Sequence, residues 1–431
     1  MEQDTLHKHQ PWIDWITMFL LIGTTANPFF NGSVEMLSLC FTVLVFLLFI
    51  KEDDHTRVTR YFWIYVIVLT LLQGLQTAIY HLFPLKTFLG EYLRIAFAVV
   101  ALRILGRNFF PQFVKFVYVF AVISLCFYIP CMLVKPLAAF LTDHVAKYTM
   151  APFQRAGLEE FYISHQNMII FNLGQIELHR NSGFYWEPGS HGGFLVFALF
   201  INLFYRKEKL TSRINLIFIF TILTTLSTTT YLALFFVILG YLKNYIIQRP
   251  MISLLLLLSI VGISFVLYNK LDFLNEKINQ QLEEKDSKTP GASRFSSLGA
   301  DLRLLSEHPL IGTGRSVEMR FGKDFYNVDA RMKHRNNGIG VLLSTYGVLF
   351  FFFFLYLNWR SFYVLLDNRV NAWLLFTLLV IIGFSEDYFF KTFFIALALY
   401  CSVTDDPMNR IRPLRSKKMQ LGKNTLTYEY E

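Results

Sequence analysis

Residues 338–357 read GIGVLLSTYGVLFFFFFLYL, twenty positions without an Asp, Glu, Lys or Arg. About twenty apolar residues in a row is what an α-helix needs to cross the hydrocarbon core of a bilayer, whereas a surface helix of a soluble domain keeps a polar face. Residues 214–242, 251–267 and 372–385 also lack all four charged residue types. Over the 431 residues, 54% are hydrophobic and 16% charged, and 46 Phe, 22 Tyr and 6 Trp exceed what one soluble core can bury. Lipid-facing helices and their interfacial belts absorb such an excess. The balance excludes a disordered chain, a coiled coil and a disulfide scaffold, and the fold class it implies is an all-α polytopic membrane protein.

The same ruler marks about twelve transmembrane helices, at residues 13–29, 34–50, 61–83, 88–105, 113–134, 192–205, 214–227, 229–243, 251–268, 338–357, 372–386 and 389–403. Loop charge orients them. With the N-terminus cytoplasmic, the short inner loops 51–60, 103–112, 206–213, 243–250 and 358–371 hold thirteen Lys and Arg, and the short outer loops hold one, Lys86. This bias is the positive-inside pattern for twelve spans with both termini cytoplasmic. Residues 1–10 are polar and no small-x-small site closes the first apolar run, so a retained signal anchor is expected. The net charge of +9 sits between hydrophobic runs and not on one amphipathic face, which makes it a topology signal and argues against a nucleic-acid partner. Cys40, Cys126, Cys131 and Cys401 lie inside apolar runs with no C-x-x-C pair and read as small buried residues.

The organisation that follows is five helices in 1–134, a long outer loop at 135–191, four helices in 192–268, a second long outer loop with short helices at 269–337, three helices in 338–403 and a basic tail at 404–431 that anchors near anionic membrane lipid. Chemistry concentrates in long loops held by a rigid scaffold. In the second loop, Ser296 or Ser297 signals a helix cap, Leu298, Leu302 and Leu305 share one face, and Pro309 stops the helix.

The first loop runs into the sixth span through Arg180-Asn181-Ser182-Gly183-Phe184-Tyr185-Trp186-Glu187-Pro188-Gly189-Ser190-His191. Glu, Pro and Gly are what a helix N-terminus needs anyway. That leaves Arg180, Glu187 and His191 at the membrane surface to be explained. The second loop holds Arg294, then His308-Pro309-Leu310-Ile311-Gly312-Thr313-Gly314-Arg315, then His334-Arg335-Asn336-Asn337-Gly338 at the start of the tenth span. Gly312 and Gly314 supply a tight turn. Glu91 and Arg94, three apart in the fourth span, lie on one face and neutralise each other. Glu386, Asp387 and Lys391 mark a short outer turn.

In the order of their spans and in these motifs, with Tyr346-Gly347 inside the tenth span, residues 150–400 resemble the bacterial O-antigen polymerase and O-antigen ligase superfamily. The resemblance implies a glycosyltransferase of GT-C-like architecture in the bacterial cytoplasmic membrane, metal-independent, inverting and without a cofactor. Its substrates are a polyprenyl diphosphate-linked glycan donor and a glycan acceptor, with a chain-length regulator or flippase as expected protein partners. Ligases of this type place His directly before Asn, whereas Arg335 and Asn336 separate His334 from Asn337 here, which favours the polymerase. Breaking a sugar to diphosphate bond calls for cations at the leaving group, and Arg binds phosphate oxygens as a fork. Arg180, Arg294 and Arg315 are the first candidates. Arg303, on the polar face of the short helix, and Arg335, in a basic run with Arg331 and Lys333, are further substrate-binding candidates that also read as solvated charges. Glu187 and His334 are the candidate bases. A transporter or flippase for lipid-linked glycans competes by span count, and a non-catalytic envelope scaffold is a third reading.

Overall fold

A computed structural model describes residues 10–31, 33–51, 60–149, 167–248, 294–316 and 337–405. The expected span at 251–268, the basic tail, and His334 with its neighbours Arg331, Lys333 and Arg335 lie outside the described residues. Within them the protein is helical, with one isolated bridge, Asn167 to Asn172, as its β-type pairing.

The helices are α1 (Pro11–Ala26), α2 (Val34–Ile50), α3 (Arg60–Tyr80), α4 (Leu85–Leu105), α5 (Phe109–Leu133), α6 (Lys135–His144), α7 (Pro188–Phe200), α8 (Arg213–Thr224), α9 (Thr228–Gln248), α10 (Arg294–Glu307), α11 (Gly338–Leu366), α12 (Arg369–Ser385), α13 (Thr392–Leu399) and α14 (Cys401–Asp405). Each expected span that falls within the described residues coincides with one or more of them. By length and composition, three stretches among the described residues are able to cross a membrane: Tyr61–Tyr80, Leu85–Leu133 and Gly338–Leu366. Val34–Ile50, Arg213–Thr224, Thr228–Lys243 and Arg369–Ser385 are apolar but shorter. Phe46, Phe49, Trp63, Leu71, Phe83 and Phe352 stand exposed on α2, α3, α11 and the α3–α4 connection. Water does not tolerate a belt of this kind, and acyl chains do. Cys40, Cys131 and Cys401 are buried as expected, but Cys126 is exposed.

Helix boundaries follow local chemistry. Pro occupies the first turn of α1 and of α7, where its missing N–H is no loss. Ser33, Asn337 and Asn368 cap α2, α11 and α12, their side chains accepting from Met36, Gly340 and Asn371 backbone N–H groups. α7 begins at Pro188, four residues before the expected start, which makes Glu187 its N-cap residue.

The helix at the expected tenth span is broken. α11 loses helical geometry at Gly347, where φ is 74° and ψ 176°, a region open to glycine alone. The break frees carbonyls that a continuous helix would satisfy, and the segment after α10 takes them. Thr313 and Gly314 N–H donate to the Ser344 and Thr345 carbonyls at 2.8 and 2.9 Å, and Val348 N–H donates to the Pro309 carbonyl at 2.9 Å. Gln76 Nε2 bridges the Ile311 and Thr345 carbonyls at 2.7 and 2.9 Å. Gly312 and Gly314 have positive φ, as a tight turn demands. The motif from His308 to Arg315 is thus a backbone plug in a broken helix.

α10 rolls differently from its leucine pattern. Its buried residues are Ser297 and Asp301, with Ser344 donating to Asp301 Oδ1 at 3.0 Å, while Leu302 is exposed. A polar seam against α11, not an apolar face, sets its rotation. Asn337 secures the same corner by capping α11 and donating from Nδ2 to the Arg294 carbonyl at 3.5 Å. Asn337→Ala is expected to lower stability by about 1 kcal/mol, read as a fall in the thermal unfolding midpoint of the detergent-solubilised protein.

Candidate functional site

α7, α9, α11 and α13 begin at one end of the bundle, and α1 and α12 finish there. The loop 167–187 is built into this end by asparagines, whose short amides reach several backbone groups at once. Asn27 Nδ2 donates to the Ile169 and Phe184 carbonyls at 2.7 Å each, and Asn172 Nδ2 to the Tyr185 and Trp186 carbonyls at 3.0 Å each. Asn181 Nδ2 donates to Ser124 and Thr224 hydroxyls, and Trp186 N–H to the Ala26 carbonyl at 3.0 Å. Arg180 and Glu187 are therefore carried on a fixed loop.

Arg294, at the start of α10, donates from Nη1 to Thr229 at 3.0 Å and from Nη2 to Glu386 Oε1 at 3.2 Å. Trp186 Nε1 donates to Glu386 Oε2 at 3.4 Å. Gly189 gauges the crowding. A Cβ there would stand 2.7 Å from Glu386 Oε1, 3.5 Å from Glu187 Oε1 and 3.7 Å from Arg294 Nη2. Two carboxyls and a guanidinium thus converge over the N-terminus of α7, where the helix dipole favours negative charge. Glu187 and Glu386 share a hydrogen bond, and burial together with the charge of Glu187 raises the Glu386 pKa well above the ordinary carboxylate value, against the opposing pull of Arg294. Arg180 lies within electrostatic reach of Glu187, Arg294 and Glu386, and burial lowers its pKa. Two carboxyls that share a proton between two arginines can accept a proton at one oxygen while the cations hold an anion.

The structure brings Arg180, Glu187 and Arg294 together and adds Glu386, which reads in sequence as a turn residue. Its signal was an acidic pair, Glu386-Asp387, between two long apolar runs. Arg315 is placed elsewhere. It stacks on Phe390 at 5.1 Å and approaches Glu91 to 3.9 Å. Glu91 attracts Arg94 without a close ion pair between them among the described residues, and it also accepts from Gln73 Nε2 at 2.6 Å and from the Tyr346 hydroxyl. Arg303 is exposed on α10. His191 is fully buried, stacked on Tyr185 at 5.2 Å, with Nδ1 3.3 Å from the Asn181 carbonyl, and packs the loop rather than facing the carboxyl pair. Among the described residues no three His, Cys, Asp or Glu side chains are grouped to hold a metal ion.

No family model matches the chain, and no curated protein matches it. The functional reading stands on the residues and their geometry.

Proposed function

We propose that the protein is a bacterial polysaccharide polymerase that joins polyprenyl diphosphate-linked oligosaccharide repeat units at the outer face of the cytoplasmic membrane, with twelve spans and both termini inside. One observation carries this reading: Arg294, from the second long loop, meets a hydrogen-bonded pair of carboxyls, Glu187 and Glu386, with Arg180 of the first loop within electrostatic reach. In the reaction an acceptor hydroxyl oxygen attacks the anomeric carbon while the bond from that carbon to the diphosphate oxygen breaks, which inverts the anomeric configuration. The hydroxyl proton passes to Glu187, and the departing diphosphate anion is received by the arginine forks. Glu386, the more buried of the two carboxyls, retains the shared proton, so the single negative charge rests on Glu187 beside Arg180. The ligase alternative differs in its acceptor, a lipid A core instead of a second lipid-linked glycan.

The test is polymer formation from a synthetic lipid-linked repeat unit by the purified protein in liposomes. Arg294→Lys is expected to slow it by about tenfold or more, because a point charge does not reproduce the fork that spans Thr229 and Glu386. Wild-type rates in Arg294→Lys and Arg180→Lys together would sink the reading.

The broken α11 and the charged side chains Glu91 and Arg94 within α4 favour one second reading, passage of a lipid-linked glycan across the membrane. Transbilayer movement of a fluorescent lipid-linked glycan in the same liposomes, without polymer, would replace the first reading by this one.

A further inference from the structure

Residues 116–133 of α5 carry no charge and lie between Lys115 and Lys135. At 1.5 Å per residue this stretch measures about 27 Å, close to the depth of a hydrocarbon core, so the last two turns of α5 lie at its far boundary. α6 begins there, after the single residue Val134. Leu137 and Leu141 pack beside Phe127 and Met132 of α5 over a small core that holds Cys131 and Phe171, which keeps α6 at the level of those last turns. The outer side of α6 is apolar as well. Phe140 is 53% exposed and Tyr148, just beyond the helix, 77%. His144, four residues from each, is exposed and stacks on Phe140 at 4.6 Å. This row continues the exposed Ile129 and Leu133 of α5. An apolar patch of this kind calls for a partner other than water.

We propose that α6 is an anchor lying in the membrane plane, with Phe140, His144 and Tyr148 seated among the lipids where headgroups meet acyl chains. In the orientation given above this is the outer leaflet. The depth follows from α5, whose exposed last turns run into the row without a break in the apolar surface. The residue types suit that depth: Phe140 enters the acyl region, whereas the polar tips of His144 and Tyr148 reach the headgroups. Lys147, with Nζ 4.9 Å over the Tyr148 ring, presents its ammonium to lipid phosphates, and the exposed Asp143 turns to water. The same turns also hold the first long loop. Phe171 stacks on Phe127 at 5.4 Å, and the Tyr128 hydroxyl donates to the His179 carbonyl at 2.8 Å, next to Arg180. The anchor thus keeps Arg180 and Glu187 at headgroup depth, where a lipid-linked diphosphate lies. That consequence rests on the reaction proposed above, but the insertion of α6 does not.

Spin-label accessibility in the full-length protein tests this, with Cys126→Ser removing the exposed thiol. Single nitroxides at Phe140→Cys, Asp143→Cys and Tyr148→Cys are compared in liposomes at low and high protein density. Collisions with oxygen, which concentrates in lipid, are expected to exceed those with a water-soluble nickel chelate several-fold at position 140, with the reverse at 143 and comparable rates at 148. Nickel collisions dominating at 140 would overturn the inference in favour of water. Exclusion of both reagents at 140 would overturn it in favour of a protein cover, a second copy if only at high density and residues 150–166 if at both. With the label moved to Leu178→Cys, on the exposed part of the loop, adding Phe140→Asp should raise nickel collisions several-fold, and no change would overturn the tie between anchor and loop. None of these readouts involves polymer formation, so they stand or fall apart from the proposed reaction. Should the labelled variants fail to fold, the wild-type chain is photolabelled with a phospholipid carrying a diazirine on its acyl chain: adducts on Phe140 support the anchor, and adducts on Ile129 or Leu133 with none on residues 137–148 overturn it.

Discussion

Glu187→Gln is expected to slow polymer formation by about a hundredfold to ten-thousandfold, the usual consequence of losing a general base, while expression and lipid diphosphate binding stay intact. Gln keeps the size and the hydrogen bond to Glu386 and removes only the basic oxygen. Glu386→Gln has a different signature. Because burial and the Glu187 charge raise its pKa, Glu386 holds its proton where an ordinary carboxyl has lost it, and Gln imitates that protonated form. The variant should therefore retain activity near neutral pH. Stability carries the same sign. A carboxyl whose folded pKa is raised contributes most below the ordinary carboxylate range and loses that contribution as pH rises through its folded value. Wild type should therefore lose stability over that window, and Glu386→Gln should flatten the slope. Normal polymer from Glu187→Gln together with none from His334→Ala would move the base to His334.

The other large effect concerns the plug. Gly347→Ala is expected to destabilise the protein by about 3–5 kcal/mol, from a backbone conformation reserved for glycine and a Cβ driven into the Leu310 carbonyl. Gly74→Ala and Gly90→Ala are the controls, because a Cβ at either meets nothing within 4 Å. Thermal unfolding in detergent should show the midpoint fall sharply for Gly347→Ala and hold for both controls. A midpoint unchanged in Gly347→Ala would mean that α11 does not need its break. Loss of the plug should also release Arg315, since the three backbone hydrogen bonds that join residues 309–314 to α11 hold its segment in place.

Residues 338–357 determined the helical character of their stretch without help, because twenty uncharged positions have few ways to satisfy their backbone away from water other than an α-helix. Pro188 in the first turn of α7 and Asn337 as the cap of α11 follow capping chemistry that acts within a few residues, although the apolar run placed the start of α7 at 192. Glycine spacing marked the turn at Gly312 and Gly314, but not that the turn fills a gap at Gly347, since a plug and its socket are separate in the chain and periodicity is blind to that pairing. The leucines of α10 misread its rotation for a related reason: Asp301 found a hydrogen-bonding partner on α11, Ser344, that no local pattern reveals. The charged residues show the division most clearly. Arg180, Glu187, Arg294 and Arg315 were recognisable one by one as costly groups at a membrane surface, yet only the tertiary structure set the first three beside Glu386 and sent Arg315 to Glu91. Coulomb attraction and burial depend on distance in space, and for residues from different loops that distance exists only once the helices have packed.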